Sequence, residues 1–200
     1  MKRDDIEFYV QKYYNGSAPD NRYASFDYCY NHFRTTEDLE ADMERSCLLL
    51  GFYLASWGMF RNSELLQRSV RHFVPTIQYI NQLDRKVWEI DVDTYNDNNC
   101  RTILKIYDDL LGKVIPYGHA HTTLITKVLM GVFGFIPAFD KYFKDTFSII
   151  YFRECGFTTV NLKALYCINS FYEDNRDEID RLSSQMFTYD FNTGNKTNIQ

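Results

Sequence analysis

The stretch LEADMERSCLLLGFYLASWG, residues 39–58, decides the fold class of this chain. One face of it is apolar at steps of three or four residues, as the period of an α-helix requires: Leu39, Met43, Cys47, Leu50, Leu54 and Gly58. Thr35 or Thr36 is the expected cap, because the acidic residues that follow suit the positive end of a helix dipole. The second half of the stretch is apolar nearly all round, so we expect it at the centre of the domain.

The same period recurs along most of the chain, and no stretch alternates convincingly between apolar and polar residues as a half-buried strand does. We therefore predict an all-α fold, a compact multi-helix domain in which two central apolar helices are wrapped by amphipathic ones. The single domain spans residues 1–191, and the polar, aperiodic residues 192–200 form a flexible C-terminal tail. The other predicted helices are Ile6–Tyr14, Tyr23–Phe33, Ile103–Val114, Thr122–Phe133, one that starts near Pro137, Leu162–Tyr172 and Ile179–Met186.

Composition and charge limit the classes of function. The chain has 200 residues, a net charge of −5 and 24% charged residues, which argues against global disorder and against a strongly basic protein that coats nucleic acid. The face at Arg61–Arg71 is either solvated or a basic contact surface. Five widely spaced cysteines without a CxxC pair predict reduced thiols in the cytoplasm. The opening MKRDDIEFYV does not read as a signal peptide, and the longest apolar run, Cys47–Phe60, is too short to span a bilayer.

The stretch YGHAHTTLITK, residues 117–127, places two histidines and two threonines before an apolar helix. The first N–H groups of a helix are unpaired and attract anions, so this stretch with Lys127 is a candidate phosphate site. The alternative is that Thr122 or Thr123 only caps the helix. His119 and His121 are spaced to share a metal ion in a loop, but no third ligand is signalled nearby, so we predict no metal and no cofactor.

A second polar cluster, WGMFRNS at residues 57–63, directly follows the first apolar helix. Polar groups at the mouth of an apolar cavity are typical of small-ligand pockets. The alternative is that Asn62 or Ser63 caps the next helix while Arg61 bonds the end of the last one. Together the two clusters give the ligand-binding candidates Trp57, Arg61, Asn62, His119, His121 and Thr123.

The stretch IPAFDKYF, residues 136–143, places Asp140 in the first turn of a predicted helix. There it is either a surface acid that complements the helix dipole or an acid at the edge of a cleft. In the second case, burial would raise the pKa of its carboxyl and suit it to proton transfer. Asp140 and Lys127 are therefore the two catalytic candidates.

Three segments carry a resemblance to known proteins: YNHF (30–33), LGFYLASWGMFR (50–61) and TKVLMGVFGFIPAFDKYF (126–143). Together they resemble a group of uncharacterised bacterial all-helical proteins, which implies a bacterial origin but no activity. The apolar helix followed by Pro137 and Asp140 also resembles the helix-hairpin-helix DNA glycosylases, in which a proline-containing loop precedes a catalytic aspartate. That resemblance implies an all-helical fold and action on DNA. The glycine-rich hairpin of that family is absent, since residues 120–127 read AHTTLITK.

Two hypotheses of function follow. The favoured one is a helical binding or interaction protein that holds a protein partner or a small-molecule ligand in a polar pocket near Arg61 and His119–Lys127. The alternative is a protein that acts on nucleic acid, of the glycosylase-like type, with Asp140 at its centre. The alternative predicts that Asp140, Lys127 and the two histidines line one basic cleft, whereas the favoured hypothesis predicts that they are scattered and that Asp140 is exposed. Neither hypothesis involves a membrane.

Overall fold

A computed structural model describes residues 3–61, 63–115 and 121–197 of the chain. About 66% of the structure is helical, and the all-α prediction is confirmed. Among the described helices, none is long and apolar enough to cross a membrane. The α-helices of this part of the chain are α1 (Arg3–Asn15), α2 (Ser25–Thr35), α3 (Met43–Ser56), α4 (Val74–Asn81), α5 (Asp97–Val114), α6 (Thr122–Phe133), α7 (Lys141–Ile150), α8 (Leu162–Asp174) and α9 (Arg176–Ser183).

Helix α6 lies at the centre of the domain and packs against α2, α3 and α5. Ten of its twelve residues are buried, because its sequence is apolar nearly all round. Gly131 lets the ring of Tyr53 on α3 lie directly against the backbone of α6, since a Cβ atom at Gly131 would lie 2.3 Å from a ring carbon. Gly134 ends the helix in the left-handed conformation, with φ of 78°, and donates its N–H to the carbonyls of Leu129 and Met130.

Helix α3 differs from its prediction in two ways. It begins at Met43 and not after Thr35 or Thr36, because the side chain of Asp42 accepts the N–H of Arg45 and caps it there. The preceding residues form turns, in which Leu39 donates its backbone N–H to the side chain of Asn81. The helix also buries one face only: Leu48 and Phe52 are exposed on the other.

Of the other helices, α4 was not predicted from the sequence, and the rest correspond to predicted helices with shifts at their ends. Helix α6 has the predicted bounds, whereas α5 begins earlier than predicted, at Asp97, and α8 ends slightly later, at Asp174. Helix α7 begins at Lys141, four residues after Pro137, because Asp140 caps it. The face at Arg61–Arg71 is not one helix: it contains two short 3-10 turns, at Glu64–Gln67 and Val70–Phe73.

The chain after residue 191 holds regular structure that its polar sequence does not predict. Strand β1 (Thr188–Tyr189) pairs antiparallel with strand β2 (Lys196–Thr197). Helix α2 holds this hairpin through two side chains: Asp27 accepts the N–H of Tyr189 at 3.1 Å, and Asn31 bonds the Thr188 hydroxyl at 3.0 Å. These contacts link positions more than 150 residues apart, so the local sequence carries no sign of them. The flexible tail at 192–200 stays a prediction.

Candidate functional site

The structure brings three of the candidate residues together. Lys127 on α6 has a side chain only 4% exposed, and its Nζ lies 3.6 Å from Oδ2 of Asp140. The same Nζ lies 4.7 Å from the centroid of the Trp57 ring, at the end of α3. We call Trp57, Lys127 and Asp140 the lysine centre.

Burial in the lysine centre removes the ammonium group of Lys127 from water. Burial lowers the pKa of Lys127, while the carboxylate of Asp140 opposes that shift. The 3.6 Å separation is longer than a direct charge-assisted hydrogen bond of about 2.7–2.9 Å. The ring face of Trp57 adds a second favourable contact for the ammonium group. The ion pair is therefore present but loose.

Asp140 serves two neighbours at once. Its Oδ1 accepts the N–H of Phe143 at 3.1 Å and so caps α7, while its Oδ2 faces Lys127. Its side chain is 31% exposed, between the fully exposed acid of the binding hypothesis and an enclosed catalytic acid. One oxygen holds a helix end, and the other is the atom that neighbouring groups can reach.

Threonines of α6 fix the position of Asp140 through the residue before it. The Thr123 hydroxyl donates to the carbonyl of Phe139 at 2.8 Å, and the Thr126 hydroxyl accepts the N–H of Phe139 at 2.9 Å. Thr122 donates to the carbonyl of Thr158 instead. Neither Thr122 nor Thr123 caps α6: the cap position belongs to His121, whose side chain makes no capping bond.

A cleft of about 570 Å³ lies beside the amino end of α6. We call it the α6 cleft. It contains three of the predicted ligand-binding residues, and its lining includes Met59, Arg61, Ser63, Glu64, Ile115, His121, Thr122, Thr123, Leu124, Lys144 and Thr158. Two further candidates, Asn62 and His119, lie outside the described residues.

The α6 cleft is positively charged. Within the described residues, Arg61 and Lys144 form no ion pair. Among the described lining residues the one acid is Glu64, which is paired with Arg68 at 2.5 Å, as the i,i+4 spacing predicts. The Oγ atom of Ser63 is shielded from water and has no hydrogen-bond partner in the part of the chain that the structure describes. The cleft thus offers a ligand two cationic side chains that have no ion-pair partner among the described residues.

The lysine centre and the α6 cleft are neighbours. Lys127 follows Thr123 by one helical turn, and helical side chains lean towards the amino end of their helix. Lys144, which lines the cleft, donates its backbone N–H to the carbonyl of Asp140. Sequence reasoning placed Ser63 in the polar cluster at residues 57–63 but missed Lys144. Lys144 follows the singled-out Asp140 by one helical turn, a spacing that could have drawn attention to it.

Two further observations concern the metal and thiol predictions. Over residues 3–61, 63–115 and 121–197, no three His, Cys, Asp or Glu side chains gather as a metal ion would need. All five cysteines are free thiols, and four of them are buried.

Searches of protein-family models, curated proteins and solved structures find no match to this chain.

Proposed function

We propose that this protein is a helical binding protein that holds a small anionic ligand in the α6 cleft. The observation that carries this proposal is the pair of cationic side chains, Arg61 and Lys144, which face the same cleft without an ion pair among the described residues. Guanidinium and ammonium groups are the usual ligands of phosphate and carboxylate. His121 and the amino end of α6 add donors on the same side.

The contacts of the lysine centre hold α7, which carries Lys144, in position beside the α6 cleft. Lys127 pairs with Asp140, Asp140 caps α7, and α7 carries Lys144. Tyr53 donates its hydroxyl to the backbone carbonyl of Lys127 at 2.9 Å and ties α3 to the same point.

Titration with inorganic pyrophosphate, followed by the fluorescence of Trp57 and Trp88, tests the proposal. The variants Arg61→Ala and Lys144→Ala should each weaken binding by about 10- to 100-fold, because each removes a charge-assisted hydrogen bond. Lys141→Ala is the matched control, since it removes an exposed lysine of the same helix that does not line the cleft. If all three variants bind pyrophosphate as the wild type does, the cleft is not the anion site.

A second candidate function is action on nucleic acid, and the contact between Lys127 and Asp140 favours it. A half-exposed carboxylate beside a buried amine is a pairing that acid–base catalysis uses. Fluorescence anisotropy of labelled single- and double-stranded oligonucleotides at low and moderate salt is the test. Binding that weakens steeply with salt supports it, and Asp140→Asn should then abolish base excision. An absence of binding at low salt removes this candidate.

The cellular setting is part of the same proposal. Five free thiols, four of them buried, support a reducing compartment such as the cytoplasm. A bacterial origin stays a prediction from the resemblance of residues 30–33, 50–61 and 126–143.

A protein partner at the α6 cleft is the alternative to a small ligand, and pyrophosphate binding at the cleft would decide for the small anion.

A further inference from the structure

A two-lobed cavity lies among α2, α6, α8 and α9, and neither candidate function uses it. Its apolar lobe, about 350 Å³, is lined by Tyr95, Met130, Phe135, Ile168, Phe171 and Ile179 among others. Its polar lobe, about 400 Å³, is lined by Tyr30, Arg34, Glu89 and Ser183 among others. Asp91 and Gly134 line both lobes, so the two lobes adjoin. Each lobe is within the size range of small-ligand pockets, which starts at about 300 Å³.

Opposite charges face this cavity without meeting. Arg34, Glu89 and Asp91 all line the polar lobe, and no ion pair joins any two of them in the described part of the chain. Arg34 donates one hydrogen bond to the backbone carbonyl of Trp88. A guanidinium group has five N–H donors, so others remain for a ligand. The side chain of Asp91 caps the turn at Val92–Thr94, where it accepts backbone N–H groups. A carboxylate has about four acceptor positions on its two oxygens, so positions remain for a ligand.

The apolar lobe has its polar groups satisfied internally. The Tyr95 hydroxyl donates to the carbonyl of Phe135, and the Tyr172 hydroxyl donates to Asp180 at 2.9 Å. What remains for a ligand is carbon surface, aromatic and aliphatic. Gly134 lies at the junction of the lobes, where a Cβ atom would come within 2.9 Å of the Tyr30 ring.

We propose that this cavity binds a small zwitterion with a large apolar side chain, of the class of the aromatic and aliphatic amino acids. The ammonium group bonds Asp91, the carboxylate bonds Arg34, and the side chain fills the apolar lobe. Asp91, unlike Glu89, lines both lobes. A ligand with a single charge leaves either Asp91 or Arg34 without a partner, whereas a zwitterion contacts both. This site shares no lining residue with the α6 cleft, so it stands or falls independently of the proposed function.

Calorimetric titration of the wild-type protein with three matched probes tests the proposal. L-phenylalanine carries both charges, phenethylamine lacks the carboxylate, and 3-phenylpropanoate lacks the amine. L-phenylalanine should bind at least about tenfold more tightly than either of the others, because it alone forms both charged contacts. The proposal is overturned if either single-charge probe binds as tightly as L-phenylalanine, or if L-phenylalanine does not bind.

Variants locate the binding. Asp91→Asn keeps an oxygen for the N–H of Val92 and removes the charge, so it should weaken L-phenylalanine binding about tenfold and leave 3-phenylpropanoate binding unchanged. Asp93→Asn is the matched control, since Asp93 is an exposed acid two residues further along that lines neither lobe. Ile179→Trp fills the apolar lobe and should abolish binding. Equal binding by the wild type and Asp91→Asn contradicts the proposal, and the three probes decide on the wild type if a variant does not fold.

Discussion

The contact between Tyr53 and Gly131 gives the sharpest test of the packing around α6. A Cβ atom at Gly131 would lie 2.3 Å from Cε1 of Tyr53, about 1.1 Å short of the 3.4 Å at which ordinary contact begins. The ring has nowhere to retreat, because Tyr53 is fully buried and its hydroxyl is bonded to the carbonyl of Lys127. Gly131→Ala must therefore move α3 away from α6 or twist the ring out of its preferred rotamer.

The magnitude follows from two opposing effects. Overpacking of a buried position costs about 1–3 kcal/mol, and the immovable ring places Gly131→Ala near the upper end. Alanine has a higher helix propensity than glycine, which stabilises the folded protein by about 0.8–1 kcal/mol. The net expectation is a loss of about 1–2 kcal/mol in the free energy of unfolding, measured by urea denaturation at neutral pH.

The chain provides a matched control for this substitution. Gly112 lies inside α5, and a Cβ atom there would meet nothing within 4 Å. Gly112→Ala should therefore raise the free energy of unfolding by about 0.5–1 kcal/mol, because only the helix propensity changes. If Gly131→Ala is as stable as Gly112→Ala, the close packing of α3 on α6 is refuted.

Three further predictions concern buried polar groups. Burial raises the pKa of Asp27 to about 6, so ionisation of its carboxyl lowers the free energy of unfolding as pH rises from about 4 to 6. Asp27→Asn still accepts the Tyr189 N–H but carries no charge. Urea denaturation should show it about 1–2 kcal/mol more stable than the wild type at pH 8 and equally stable at pH 3. Burial lowers the pKa of His32 to about 4. The neutral imidazole therefore contributes stability above pH 6.5, and this contribution is lost as pH falls towards 4. His32→Gln cannot be protonated, so its free energy of unfolding should fall less over this pH range than that of the wild type. Thr126→Val removes the bonds of its hydroxyl to Thr122 and to Phe139 and should cost about 1–3 kcal/mol, since the Phe139 N–H is left buried without a partner.

Each of these has an outcome that counts against it. Equal gains for Asp27→Asn at pH 3 and pH 8 would mean that the carboxyl is not destabilised by burial. An unchanged acid transition in His32→Gln would mean that another group controls it. Thr102→Val is the control for Thr126→Val, because the exposed Thr102 hydroxyl only bonds the carbonyl of Asn98 in its own helix. Similar losses in the two variants would remove any special role for Thr126.

The sequence predicted most helices because their period is a local property. Helix α6 is apolar on nearly every face and lies at the centre, as its composition indicates. The start of α3 was missed because Thr35, Thr36 and Asp42 all carry cap signals. In the structure Thr35 ends α2, and the turns before Met43 include a bond from Leu39 to the distant Asn81. Local periodicity does not rank these caps.

The candidate site was predicted in part for the same reason. Asp140 stands out because it lies at a helix start, and Lys127 because it is a lysine within an apolar helix. Their contact depends on Thr126 holding the backbone of Phe139. The two-lobed cavity has no local signal at all, since its lining runs from Tyr14 to Met186. Clefts assembled from several distant segments become visible only when the fold is known.

The most direct test of anion binding at the α6 cleft is a map of backbone amide chemical shifts in the ¹⁵N-labelled protein as pyrophosphate is added. The account predicts shifts concentrated at Arg61, Ser63, His121, Thr123 and Lys144, and their loss in Lys144→Ala but not in Lys141→Ala. Shifts that are absent, or that concentrate on a surface away from these residues, would contradict it.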